Sequence, residues 1–197
     1  LNKPLGLPIK GEGKPVIPQP GTNRWSGVAL PWMAFGYGLS VTPLQTLTLY
    51  NAVANDGVMV KPIFVSEIKE WNKTIKKYNT EVINPKICSQ ETLDKVQAVL
   101  ENVVKRGTGS KLYSKDFSME GKTGTAQVNY KDKSKLYYAS SFVGYFPADE
   151  PKYSCIIVVH KPNVAAGYYG ADVAGPVFKR IAQKIFTDSP STNHVKN

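Results

Sequence analysis

Arginine, histidine and cysteine are all scarce in this chain. Of its 25 basic residues, three are Arg and 22 are Lys. Arg is the side chain suited to bidentate recognition of phosphates and base edges. The lysines are also scattered instead of massed on one helix face. The net charge of +10 thus points to solubility, or to weak attraction by an anionic polymer or surface, and away from nucleic acid. His160 and His194 are too few and too far apart for a metal site, and Cys88 and Cys155 have no metal-ligand spacing. No metal and no cofactor are expected. Cys155 sits in an apolar run and reads as a small core residue. Cys88 precedes a helix start, and a disulfide between the two is left open. Long hydrophobic runs are absent too. The longest, Cys155-Ile156-Ile157-Val158-Val159, is far short of the roughly 18 residues that span a membrane. The chain opens Leu1-Asn2-Lys3-Pro4 with neither an initiator Met nor a signal-peptide pattern. It is expected to be a piece of something longer, with any anchor or export signal elsewhere.

What is present suffices for a core. The 197 residues, 42% hydrophobic with mean hydropathy −0.27, describe one soluble globular domain. The expected domain covers 1–187, followed by a polar, loose tail over 188–197. Six prolines (Pro4, Pro8, Pro15, Pro18, Pro20 and Pro31) exclude helix and central strand from residues 1–31, which read as an irregular segment laid over something else.

Helix signals follow. Thr42 can cap, Pro43 suits the first helical position, and Gln45 completes a capping box. Leu44, Leu47 and Ala54 supply an apolar face, and Asp56-Gly57 ends the helix. Val58 to Trp71 reads as extended. Ser89 caps a second helix through Leu93, Val96, Leu100 and Val103-Val104, which stops at Gly107-Thr108-Gly109. Three strands are predicted at Gly121–Tyr130, Tyr137–Tyr145 and Tyr153–His160. The charged loop Lys131–Lys135 and a turn around Pro147–Pro151 join them, so antiparallel hairpins are expected. A last helix runs to about Phe186, with Val173, Val177, Ile181 and Ile185 repeating beside Ala174, Phe178 and Ala182. That broad stripe should lie on a sheet. The class is α+β, with helices packed on a small antiparallel sheet.

The run Lys122-Thr123-Gly124-Thr125-Ala126-Gln127 carries the chemistry. It sets an ammonium, two hydroxyls and a residue without a side chain on one strand. An edge strand can pair with an extended peptide. Gly124 permits close approach, Lys122 lowers the cost of nearby negative charge, and threonine hydroxyls can bind a carboxylate. A lysine on an edge strand also deters aggregation, whatever its neighbours do.

The surrounding residues resemble a known family. Gly121-Lys122-Thr123-Gly124-Thr125-Ala126-Gln127 is similar to the third motif of the penicillin-binding transpeptidases and serine β-lactamases. Phe35-Gly36-Tyr37-Gly38-Leu39-Ser40-Val41-Thr42-Pro43-Leu44-Gln45 and Tyr50-Asn51-Ala52-Val53-Ala54-Asn55-Asp56-Gly57 resemble the class B, monofunctional branch, in its division-type form. Leu5-Gly6-Leu7-Pro8, Val103–Gly109, Ser141–Pro147 and Ala174–Phe178 match in the same order, from about residue 5 to 186. Thr42–Gln45, the extended stretch after Gly57 and the Pro-rich lead-in separate the chain from a β-lactamase.

The resemblance implies a partial penicillin-binding transpeptidase fold and the following roles. Lys122 supports the electrostatics near a nucleophile and a hydroxyl relay. Thr123 and Thr125 bind the carboxylate of a stem peptide or β-lactam. The Thr125 backbone N–H is one of two oxyanion donors, and Gly124 admits the substrate strand. The family's Ser-x-x-Lys helix and Ser-x-Asn loop both precede this strand, and neither is found here. Ser66-Glu67-Ile68-Lys69 matches the spacing but lies in a strand-like stretch, where residues three apart point oppositely. Ser191-Thr192-Asn193 falls after the third motif, in the tail. The nucleophile is therefore expected outside this chain, which should be inactive alone and hold an incomplete core. The implied parent is a septal peptidoglycan D,D-transpeptidase. Its partners would be stem peptides, β-lactam antibiotics, divisome proteins and the missing N-terminal part of the domain. It would act on the periplasmic face of the inner membrane. A non-catalytic peptidoglycan- or β-lactam-sensing domain of the same fold, or a serine β-lactamase, are the alternatives.

Overall fold

A computed structural model describes residues 1–129 and 132–188. Tyr130 and Lys131, at the expected end of the first long strand, fall outside the described residues. So do Ser191-Thr192-Asn193, His194 and all of the expected tail except Asp188.

The helices are α1 (Ala29–Ala34), α2 (Pro43–Ala54), α3 (Gln90–Lys105), α4 (Gly170–Val173) and α5 (Gly175–Asp188). The strands are β1 (Met59–Val60), β2 (Glu67–Glu70), β3 (Lys73–Lys77), β4 (Val82–Asn84), β5 (Glu120–Val128), β6 (Tyr137–Phe146) and β7 (Tyr153–His160). The three long strands form one antiparallel sheet in the order β5-β6-β7, as the short connections predict. The class is α+β.

The local start signals hold. Thr42 Oγ1 accepts from the Gln45 N–H while Gln45 Oε1 accepts from the Thr42 N–H, closing the capping box of α2. Ser89 Oγ accepts from the Thr92 N–H at the start of α3. Helix α2 ends where Asp56 and Gly57 both take positive φ, and the Gly57 N–H reaches back to the Ala52 carbonyl at 2.8 Å.

Four expectations need correction. The irregular segment ends at Val28, because α1 begins at Ala29 and includes Pro31. A proline in the first turn costs no hydrogen bond, since that N–H has no helical partner anyway. The stretch Val58–Trp71 is not one strand. The chain turns after Val60, and β2 forms a separate hairpin with β3 about Trp71, whose φ is +54°. The buried face of α2 is Gln45, Thr48, Ala52 and Val53, while Leu44, Leu47 and Ala54 are only half-buried. Burial of the two polar residues is tolerated because both are bonded: Gln45 Nε2 donates to the Lys3 carbonyl and Thr48 Oγ1 to that of Leu44. The final helix is broken at Ala174 into α4 and α5, and its stripe centres on Phe178 and Ala182 while Val177 is exposed.

Helices cover both faces of the sheet. Phe142 and Phe146 face Phe178 of α5 with ring centroids 4.8 and 5.6 Å away, joined by Leu112, Phe117 and Met119. Tyr145 points the other way, into Val53 of α2 and Leu93 and Leu100 of α3. Full burial of a side chain such as Phe178 contributes about 1.5–3 kcal/mol. Cys155 packs with the first cluster and Cys88 with the second, and both thiols are free. Burial pushes the Cys155 thiol above its ordinary range. Among the described residues no helix is long and apolar enough to cross a membrane.

Candidate functional site

Strand β5 is an outer strand of its sheet, and its pairing with β6 runs without interruption from Glu120↔Tyr145 to Val128↔Tyr137. Antiparallel pairing alternates bonded and non-bonded residue pairs. Two bonds set the phase. The Gln127 N–H donates to Tyr37 Oη at 3.2 Å, away from the sheet. Its partner Tyr138 turns its carbonyl toward β7 and accepts from the Lys161 N–H at 2.9 Å. Thr123, Thr125 and Gln127 therefore present both backbone groups on the open edge.

The side chains gather at the same edge. Exposed Lys122 bends back so that its ammonium donates to the Thr123 carbonyl at 2.9 Å and to Thr123 Oγ1 at 3.2 Å. Thr123 Oγ1 lies 2.8 Å from Thr108 Oγ1. The Gly170 N–H, at the start of α4, donates to Thr125 Oγ1 at 3.0 Å. Thr125 Oγ1 accepts this bond and keeps its own hydrogen available to donate to an anion.

The structure thus brings Lys122, Thr123 and Thr125 together at one edge. Gly124 makes room within the chain as well. A Cβ there would lie 2.4 Å from Ser141 Oγ on the neighbouring strand, and Gly170 packs against its backbone. The close approach it permits within this chain is by Ser141, while the approach of α4 depends on Gly170 having no side chain.

Ser66 precedes the exposed β2–β3 hairpin, in another sheet, and Lys69 is paired with Glu67 at 2.7 Å. No contact joins this serine to the Lys122 edge among the described residues.

Several neighbours went unassigned on sequence. Thr108 stood out only as part of a helix-ending Gly-Thr-Gly. Tyr138 and Tyr168 stack at 4.2 Å, Tyr168 and Tyr169 lie 4.4 Å apart, and Gln127 Nε2 donates to Tyr138 Oη at 3.3 Å. The bond to the Tyr169 hydroxyl pushes the Tyr168 phenol up to about 12. Buried Ser140 donates to the Tyr168 carbonyl, which ties this aromatic pile to β6. Adjacent tyrosines were the only hint in the sequence.

Residues 5–183 match the family described as the penicillin binding protein transpeptidase domain. The chain belongs to this family. It is 32% identical over 189 residues to peptidoglycan D,D-transpeptidase FtsI of Buchnera aphidicola subsp. Baizongia pistaciae, covering 94% of this chain and 31% of that protein. It is 33% identical over 183 residues to stage V sporulation protein D of Bacillus subtilis, covering 89% and 27%. The crystal structure of penicillin binding protein 3 from Mycobacterium tuberculosis complexed with aztreonam superposes with a TM-score of 0.79 at 28% identity, over 95% of this chain and 44% of that one. These are class B relatives, and the chain spans about a third or less of the two curated ones. As a transpeptidase-domain family member, it carries its Lys-Thr-Gly run on the open edge of the main sheet.

Proposed function

We propose that this chain forms one wall of the acyl-transfer cleft of a septal, serine-type peptidoglycan D,D-transpeptidase. One observation carries the reading. Thr125 turns its N–H and its carbonyl toward the open edge, next to Thr123, whose carbonyl and hydroxyl hold the Lys122 ammonium. In the proposed reaction a serine Oγ adds to the carbonyl of the penultimate D-alanine of a stem peptide. The C–N bond to the terminal D-alanine breaks and that residue leaves with a proton. An amine of a neighbouring stem then takes the acyl group and restores the serine. The Thr125 N–H stabilises the oxyanion as one of two donors. Thr123 and Thr125 hold the substrate carboxylate, and Lys122 stabilises negative charge and assists a hydroxyl relay.

The serine belongs to a segment outside this chain. A β-lactam would acylate the same serine and leave its anionic group at the two threonines; the mycobacterial relative is known in complex with one β-lactam, aztreonam. The protein would act outside the cytoplasm, at the membrane face where stem peptides and division proteins meet.

A labelled penicillin tests this. Covalent label is expected only when the chain is joined to, or mixed with, the upstream segment. Label on the chain alone would refute the external nucleophile. Reversible binding without acylation would mark a sensing domain, and hydrolysis with rapid turnover a β-lactamase.

A further inference from the structure

The open edge of β5 is bracketed. On one side the Lys122 ammonium occupies the Thr123 carbonyl at 2.9 Å. On the other, the Tyr37 hydroxyl occupies the Gln127 N–H at 3.2 Å. Between them lies a single residue, Thr125, whose N–H and carbonyl both face out.

The cap is built to stay. Tyr37 sits between Gly36 and Gly38, both with φ in the left-handed region, at +95° and +75°. Its N–H donates to the Trp32 carbonyl at 3.0 Å, so the loop folds back on α1. Its ring meets Trp32 edge-on at 6.0 Å and Phe35 at 5.7 Å. Just beyond, Ser40 exchanges two backbone bonds with Val16, at 2.7 and 2.8 Å. The hydroxyl is delivered to β5 by a braced loop, across 90 positions of sequence.

We propose that Tyr37 is a register stop that limits an acyl donor to pairing with β5 through one residue, at Thr125. The proposal rests on the acyl-transfer reading above. An antiparallel donor that gives its acyl oxygen to the Thr125 N–H and its amide N–H to the Thr125 carbonyl uses one bonded pair. The next bonded pair on that edge lies two residues toward the donor's N-terminus, at Gln127. That N–H is already taken, and the Tyr37 ring occupies the approach. Backbone pairing therefore ends at the acyl residue, and the stem peptide beyond must leave the sheet plane. Selection of the donor then falls on its last residues instead of on a long strand.

The test compares two thioester donors on the protein that includes the serine-bearing segment. One is acetyl-D-alanine thioester. The other is an acetylated tripeptide thioester ending in D-alanine. Tyr37→Ala opens the edge, so the ratio of kcat/KM for tripeptide over single residue is expected to rise about threefold to tenfold, the worth of one added hydrogen bond. Tyr37→Phe keeps the ring in the way and is expected to leave the ratio unchanged. A Tyr37→Ala ratio within about twofold of wild type overturns the proposal. Amide hydrogen exchange provides a second readout, should Tyr37→Ala fail to fold. The Gln127 N–H is expected to be protected in wild type relative to Thr125, and to lose that protection in Tyr37→Phe. Equal exchange at Gln127 and Thr125 in wild type overturns the cap. If neither donor acylates the wild-type protein, the acyl-transfer reading fails on its own, and the exchange comparison still decides whether the cap exists.

Discussion

Glu120 is a buried carboxyl two positions before Lys122, held by the Tyr145 hydroxyl. Burial pushes it above the ordinary value of 4.5; the bond from Tyr145 opposes the rise, the Glu101 carboxylate adds to it, and Lys105 pulls back. Desolvation wins because the charged form loses water that one hydroxyl does not replace. A carboxyl whose folded pKa lies above its unfolded value stabilises the fold below the unfolded value. That contribution is lost as pH rises through the folded value. Glu120→Gln keeps an acceptor for Tyr145 and cannot ionise. The difference in Tm, variant minus wild type, is therefore expected to grow between about pH 4 and about pH 7. A flat or shrinking difference in thermal melts would show that Glu120 stays as it is in the unfolded chain. Burial at this position was not readable in the sequence, since a glutamate opening a strand is ordinarily solvated. The hydroxyl that holds the buried carboxyl comes from Tyr145, 25 positions away.

At the scale of elements, the four-residue helix α4 is the piece that orients the site. Gly170 seats it on the sheet. A Cβ there would lie 2.3 Å from the Ser141 carbonyl and 2.5 Å from that of Gly124, both backbone atoms that have no rotamer with which to yield. Gly170→Ala must lift α4 away and stretch the bond from its N–H to Thr125 Oγ1. The expected cost is about 1–3 kcal/mol, the usual range for overpacking, read from equilibrium urea unfolding. Stability unchanged from wild type would mean that α4 does not rest on β5 and β6 as described. Helix boundaries set by a cap were legible: Thr42 with Gln45, and Ser89 with Thr92, each close their bond within one turn. The break at Ala174 is hidden from periodicity, because Val173, Val177 and Ile181 keep a helical spacing straight through it. Its local cause is Pro176, which has no N–H for the Asp172 carbonyl and disfavours helix at Gly175.

For the whole molecule, the balance of covered and uncovered apolar surface is uneven. The sheet core is closed around Phe142 and Phe178, yet Val28, Leu30, Phe35, Phe64 and Trp71 are each more than half exposed, Trp71 at 95%. Strand β7 is the other outer strand of the sheet, with half-buried residues along nearly its whole length. Unpaired strand edges and exposed apolar patches favour association. By itself the chain is expected to self-associate, with a sedimentation coefficient that rises with concentration, and adding the upstream segment should reverse this. A monomer that unfolds cooperatively in calorimetry at every concentration would refute the expectation.

The sequence alone determined the fold class, the three-stranded antiparallel sheet, the caps of α2 and α3, and the Lys-Thr-Gly strand as the place to look. These depend on side-chain periodicity and on bonds closed within a few residues, which a linear pattern carries directly. The tertiary structure alone decided which groups meet that strand. Thr108 reaches Thr123 across 15 positions, Gly170 reaches Thr125 across 45, and Tyr37 reaches Gln127 across 90. Contacts at such separations arise from how α3, α4 and the loop after α1 meet β5, and packing depends on all of the surfaces at once.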